Sequence, residues 1–73
     1  MKTIKISIIL ENAAFGETCQ SQAEEISAIL KTLSNRLTEN PDHLQISPAS
    51  FPSEMRLHDS NGNHVGCALV HFA

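Results

Sequence analysis

The stretch Leu57-His58-Asp59-Ser60-Asn61-Gly62-Asn63-His64-Val65-Gly66 decides the fold. Asn61-Gly62 is the strongest hairpin signal in the chain, because a tight two-residue turn needs φ > 0 at both central positions and Asn and Gly tolerate this best. Such a turn pairs Ser60 with Asn63, His58 with Val65 and Leu57 with Gly66. The flanks agree, since residues 54–58 and 65–72 both read as strands. In this register Met55, Leu57, Gly66, Ala68, Val70 and Phe72 share one face. Arg56, His58, Val65, Cys67, Leu69 and His71 share the other, which sets His58 and His64 on opposite faces.

Working back from the hairpin, residues 41–53 hold Pro41, Pro48 and Pro52 among serines and read as a surface loop. Leu44, Ile46 and Phe51 are its apolar anchors. Upstream, Ala23, Ile26, Ile29, Leu30, Leu33 and Leu37 recur at helical spacing, with Glu25, Lys31, Asn35 and Arg36 away from the stripe. Ser21 followed by Glu24 has the form of a capping box, and Asn40-Pro41 ends the run. The helix is therefore expected over residues 22–39. Before it, Glu11 to Thr18 is a connection in which Phe15 folds back over the core. At the start, Ile4, Ile6, Ile8 and Leu10 alternate with Thr3, Lys5, Ser7 and Ile9, the pattern of a half-buried strand.

The order is β-α-β-β, an α+β fold with a three-stranded antiparallel sheet and one helix on one face. The third strand is the longest and most apolar, so it belongs at the centre, with the first strand antiparallel to it at one edge. One helix covers one face. Val65, Cys67 and Leu69 then lie on a second face that is either an exposed apolar patch, marking a partner or a self-interface, or is roofed by the 41–53 loop.

With 73 residues the chain forms one domain, 1–73, too small for a large enzyme core with a deep cleft. A net charge of -3 and the absence of Trp and Tyr disfavour a direct grip on nucleic acid. No run approaches a membrane span. Lys5 and Glu11 break the early apolar stretch, so no signal peptide is expected. Cys19 and Cys67 read as free thiols in a reducing cytoplasm.

His43, His58, His64 and His71 show no ligand spacing, even with Cys67 added, so no metal and no cofactor is expected. Cys67 lies mid-strand among apolar residues and reads as packing. Cys19 precedes the helix start, where a thiolate would gain from the dipole, but has no His or Asp nearby in sequence. No catalytic set emerges, and the chain reads as a non-enzyme. Glu17, Glu24 and Glu25 near the helix start suit its dipole. Together with Glu11 they also form an acidic edge able to dock on a basic surface.

Glu11-Asn12-Ala13-Ala14-Phe15 after an amphiphilic strand, a helix ending in Leu33-Ser34-Asn35-Arg36-Leu37, and the hairpin from Leu57 to Gly66 together resemble a group of small phage and prophage proteins. These end in a Leu-Arg-Asp-x-Asn-Gly-Asn-x-Val-Gly hairpin. The resemblance covers most of the chain. It departs at His58, where the group has Arg, and in a longer Pro/Ser loop. No catalytic residue carries over. The resemblance implies a phage or mobile element in the cytoplasm of a bacterial host. The expected function is a stoichiometric, anti-CRISPR-like inhibitor that contacts a host protein or ribonucleoprotein effector. Its expected contacts are Glu11, Glu17, Glu24, Glu25, Val65, Cys67 and Leu69. The alternative is a homodimeric accessory or structural module of phage DNA metabolism without enzymatic activity.

Overall fold

β-branched and apolar residues dominate the last strand, and that strand takes the centre of the sheet. The computed structural model describes residues 1–72. The chain runs through β1 (Lys2–Ile8), a 3-10 turn at Ala13–Phe15, α1 (Cys19–Glu39), a second 3-10 turn at Pro41–Leu44, β2 (Ser53–His58) and β3 (His64–Phe72). The strand order is β1-β3-β2, and both pairings are antiparallel. This is the expected α+β arrangement with β3 in the middle.

The core joins Ile29 and Leu33 of α1 to Met55 and Leu57 of β2 and to Val65, Ala68 and Val70 of β3. Phe15 is fully buried among them, as its place in the connection suggested. Ile8, Ile26, Leu37 and Ile46 pack around this cluster.

The helix begins earlier than expected, at Cys19, because Thr18 rather than Ser21 is its N-cap. Thr18 Oγ1 accepts from the Ser21 N–H at 3.0 Å, and Ser21 Oγ accepts from the Thr18 N–H at 3.3 Å. Ser21 thus fills the reciprocal position that Glu or Gln usually takes in a capping box. Its hydroxyl also lies 2.8 Å from the Phe15 carbonyl, tying the helix start to the buried ring.

The hairpin differs from the two-residue turn by one residue. Gly62 has φ 83°, but among the described residues no non-glycine has a positive φ, so Asn61 is not left-handed. The Gly62 N–H donates to the Asp59 carbonyl at 3.0 Å, and the Asp59 N–H donates to the Asn63 carbonyl at 2.9 Å. Ser60, Asn61 and Gly62 therefore form a three-residue loop with glycine in the left-handed position. The reason is the Asp59 side chain, whose Oδ1 accepts the Asn61 N–H at 3.0 Å and the Asn63 N–H at 2.9 Å. Leu57 still faces Gly66, but His58 now faces His64. Val65 is the extra residue of a β-bulge.

Two corrections follow from the bulge. Val65 turns into the core and is only 3% exposed, rather than lying on the second face. His58 and His64 are direct cross-strand neighbours, with ring centroids 5.8 Å apart, rather than residues of opposite faces.

The Pro/Ser loop closes over the helix side of the sheet. Ile46 packs against the core, and Lys2 Nζ donates to the Leu44 carbonyl at 2.9 Å. Lys2 shares its face of β1 with Ile4, Ile6 and Ile8 by the alternation of the strand. The loop does not serve as a roof for the second face, because its inward anchor is on the other side.

Candidate interaction surface

The register places the second face residue by residue. Opposed residues in an antiparallel ladder point the same way. Lys5, Leu69 and Glu54 form one row across the three strands, and Ser7, Cys67 and Arg56 form the next. Thr3 lies opposite His71, and Thr3 Oγ1 is 3.1 Å from His71 Nε2. Leu69 and Cys67 are half-buried at the centre, and the flanking Lys5, Ser7, Glu54 and Arg56 are exposed. The surface has a thin apolar middle framed by charges of both signs. Strands of 7, 6 and 9 residues, rising about 3.3 Å per residue and set about 4.8 Å apart, give a flat face of roughly 350 Å².

The expected contact residues do not assemble into one patch. Glu11, Glu17 and Glu24 are exposed. Glu24 accepts from Gln20 Nε2 at 2.9 Å within its own helix. No acidic side chain lies in the first turn of α1, because the helix starts before the glutamates. Since α1 packs on one side of the sheet, Glu24 and the pair Cys67 and Leu69 belong to opposite sides of the molecule. Cys67 and Leu69 remain on the accessible second face, and Val65 leaves it.

Glu25 is the larger correction. It is 7% exposed and faces inward, not outward. Both of its carboxylate oxygens accept from the Ser60 hydroxyl, with Oε2 at 2.8 Å, and Oε1 also accepts the Ser60 N–H at 3.3 Å. A signal for this was present in the sequence. Glu25, Ile29 and Leu33 stand four residues apart, so they share a helix face. Beside this contact is a cleft of about 190 Å³, lined by Glu25, Ala28, Ile29, Thr32, His58, Asp59 and Ser60.

Asp59 is the other buried carboxylate. Its Oδ2 accepts from Asn12 Nδ2 at 3.1 Å, which ties the connection after β1 to the hairpin. Burial alone would raise its pKa. The Asn63 N–H, the Asn12 amide and the Asn61 N–H outweigh that and hold the carboxyl below its ordinary value. Asp59 is thus committed to the turn.

Cys19 and Cys67 are free thiols. Among the described residues no group of three or more His, Cys, Asp or Glu is placed to hold a metal ion. Among them, too, no helix is long and apolar enough to cross a membrane. In comparisons with protein-family models, curated proteins and solved structures, none matches this chain.

Proposed function

We propose that the chain is a small inhibitor, carried by a phage or mobile element, that acts by stoichiometric contact with host defence machinery in the manner of an anti-CRISPR protein. The observation that carries this is the open sheet face, where Cys67 and Leu69 lie between Lys5, Ser7, Glu54 and Arg56. An apolar centre with a polar rim is the anatomy of a protein–protein interface. The resemblance to small phage proteins supplies the biological setting. At roughly 350 Å² the face gives less than half of the roughly 800 Å² per partner of a standard interface. The remainder comes from its borders, where Glu11 follows β1.

The test is a tagged pull-down from a bacterial host carrying an active CRISPR system, read by mass spectrometry. The expected result is an effector complex at fixed stoichiometry. Leu69→Arg abolishes it, and Glu11→Lys at the border of that face weakens it in a salt-dependent way. Recovery of no host effector overturns the inhibitor reading. A complex indifferent to Leu69→Arg removes the sheet face from it.

A further inference from the structure

The two edges of the sheet are treated differently. Along β2, Arg36 of α1 reaches across and its Nη1 donates to the Arg56 carbonyl at 2.6 Å. That contact occupies a main-chain acceptor on the outer side of β2. Among the described residues no further strand lies beyond β1. The Ile9 N–H donates to the Val65 carbonyl at 2.8 Å, so Ile9 and, by alternation, Ser7, Lys5 and Thr3 turn their main-chain groups toward β3. Lys2, Ile4, Ile6 and Ile8 turn theirs outward. The side chains of Ile4 and Ile6 lie on the helix face of the sheet, yet they are 45% and 43% exposed. β1 therefore offers an open ladder and a strip of half-covered isoleucines at the same edge.

We propose that β1 pairs with β1 of a second copy of this chain, antiparallel and centred on Ile6. The sequence is self-complementary about that residue. Ile6 meets Ile6, Ile4 meets Ile8, Lys5 meets Ser7 and Lys2 meets Leu10 of the other copy. The outward main-chain groups of Ile4, Ile6 and Ile8 then pair with one another across the two-fold axis. The neighbouring register centred on Lys5 would set Lys5 opposite Lys5, and like charges directly opposed are destabilising. The Ile6 register instead sets Lys5 opposite Ser7 and places no like charges directly opposite one another. The product is a continuous sheet of six strands, twice the three of one copy, with both helices on one face. The exposed isoleucine strips meet beneath them. Lys2 and Lys5 blunt this edge against indiscriminate pairing, but with neither proline nor bulge in β1 its ladder stays open to a partner whose register avoids opposing the lysines.

The test combines solution mass with cross-linking. Sedimentation equilibrium of the full chain is expected to give twice the monomer mass at high micromolar concentration. In a Cys19→Ser, Cys67→Ser background, Ile6→Cys is expected to form an intermolecular disulfide on mild oxidation. The Cα atoms of a directly opposed, hydrogen-bonded pair lie about 5.5 Å apart, within disulfide reach. Ile4→Cys is expected not to cross-link, because the two copies of residue 4 are offset along the strands by about 13 Å. Ile6→Lys, at an exposed position, is expected to give a monomer with unchanged circular dichroism. A chain that remains monomeric overturns the proposal and leaves the edge to a strand from another protein. So does a dimer that survives Ile6→Lys or cross-links equally through Ile4→Cys. Leu69→Arg is expected to leave the dimer intact, so this result is read separately from inhibitor binding.

Discussion

The hairpin end of the molecule and the proline-loop end are held by different physics. At the hairpin end, buried carboxylates organise the backbone. Asp59 anchors the turn and Asn12, and Glu25 anchors Ser60 to the helix. At the other end, residues 41–53 are secured mainly by Ile46 against the core and by Lys2 on the Leu44 carbonyl. Leu44 is exposed, and Phe51 is 93% exposed. Side chains that satisfy buried backbone groups are expensive to remove, whereas exposed apolar side chains are not. Substitutions at the two ends should therefore separate into large and small effects.

The largest effect is expected where β1 meets the bulge. A Cβ at Gly66 would lie 1.9 Å from the Ser7 carbonyl oxygen, with Ser7 C and Ile8 Cα within 3.0 Å. These are backbone atoms and cannot rotate away. Gly66→Ala must push β1 off β3 and should cost about 3 kcal/mol, the upper part of the range for overpacking. Urea unfolding measures it, and a loss no larger than that of a surface substitution would show that β1 is not seated as described.

Asp59→Ala comes next, since it strips acceptors from Asn61, Asn63 and Asn12 together. It also has a pH signature. The folded-state pKa of Asp59 lies below its ordinary 3.8. A carboxyl lowered by folding contributes stability that is fully present above the unfolded value and is lost as pH falls through the folded one. The wild-type advantage over Asp59→Ala is therefore expected to be constant at neutral pH and to shrink below 3.8. Unfolding of both proteins at neutral and strongly acid pH tests this, and an advantage that persists in strong acid would assign the effect to something other than the ionised carboxylate.

Glu25→Ala should be milder, because Ser60 lies at the exposed loop and water can replace its lost partner. About 1–2 kcal/mol is expected for the buried hydrogen-bonded contact. In a chain of this size that is a fall in Tm of roughly 4–8 °C per kcal/mol. If Glu25→Ala leaves Tm unchanged while Asp59→Ala lowers it, the hairpin end depends on the turn alone and not on its tie to α1.

The same contrast explains what could be read from the sequence. The element order, the central β3 and the burial of Phe15 follow from periodicity and from the hairpin, which are local patterns. The bulge was not visible, because Asn61-Gly62 suits a two-residue turn just as well. Only the Asp59 carboxylate, gathering two backbone N–H groups, favours the longer loop. From that one-residue difference came the misplacement of Val65 and of the His58 and His64 pair. Glu25 departs from its expected exposure because its spacing with Ile29 and Leu33 sets it on the buried face despite its charge. Its partner Ser60 is 35 residues away, and no local pattern carries such a contact. Cys67 and Leu69 lie on the face that alternation predicts, because the alternation along β3 is undisturbed beyond the bulge. The earlier helix start was hidden because Ser21 stands where Glu or Gln is usual in a capping box.

The smallest effect is expected at Phe51. A Phe normally contributes by removing apolar area from water, and this one removes almost none. Phe51→Ser should therefore change stability by no more than about 0.5 kcal/mol. It should also leave untouched the short turn beside it, in which the Ser50 N–H donates to the Ser47 carbonyl at 2.9 Å and the two hydroxyls lie 2.8 Å apart. Ile46→Ser is the matching control, because Ile46 packs against the core and its loss should be clearly larger. If Phe51→Ser proved as costly as Ile46→Ser, the ring would be covered in solution, and the proline-loop end would share the close packing that otherwise distinguishes the hairpin end.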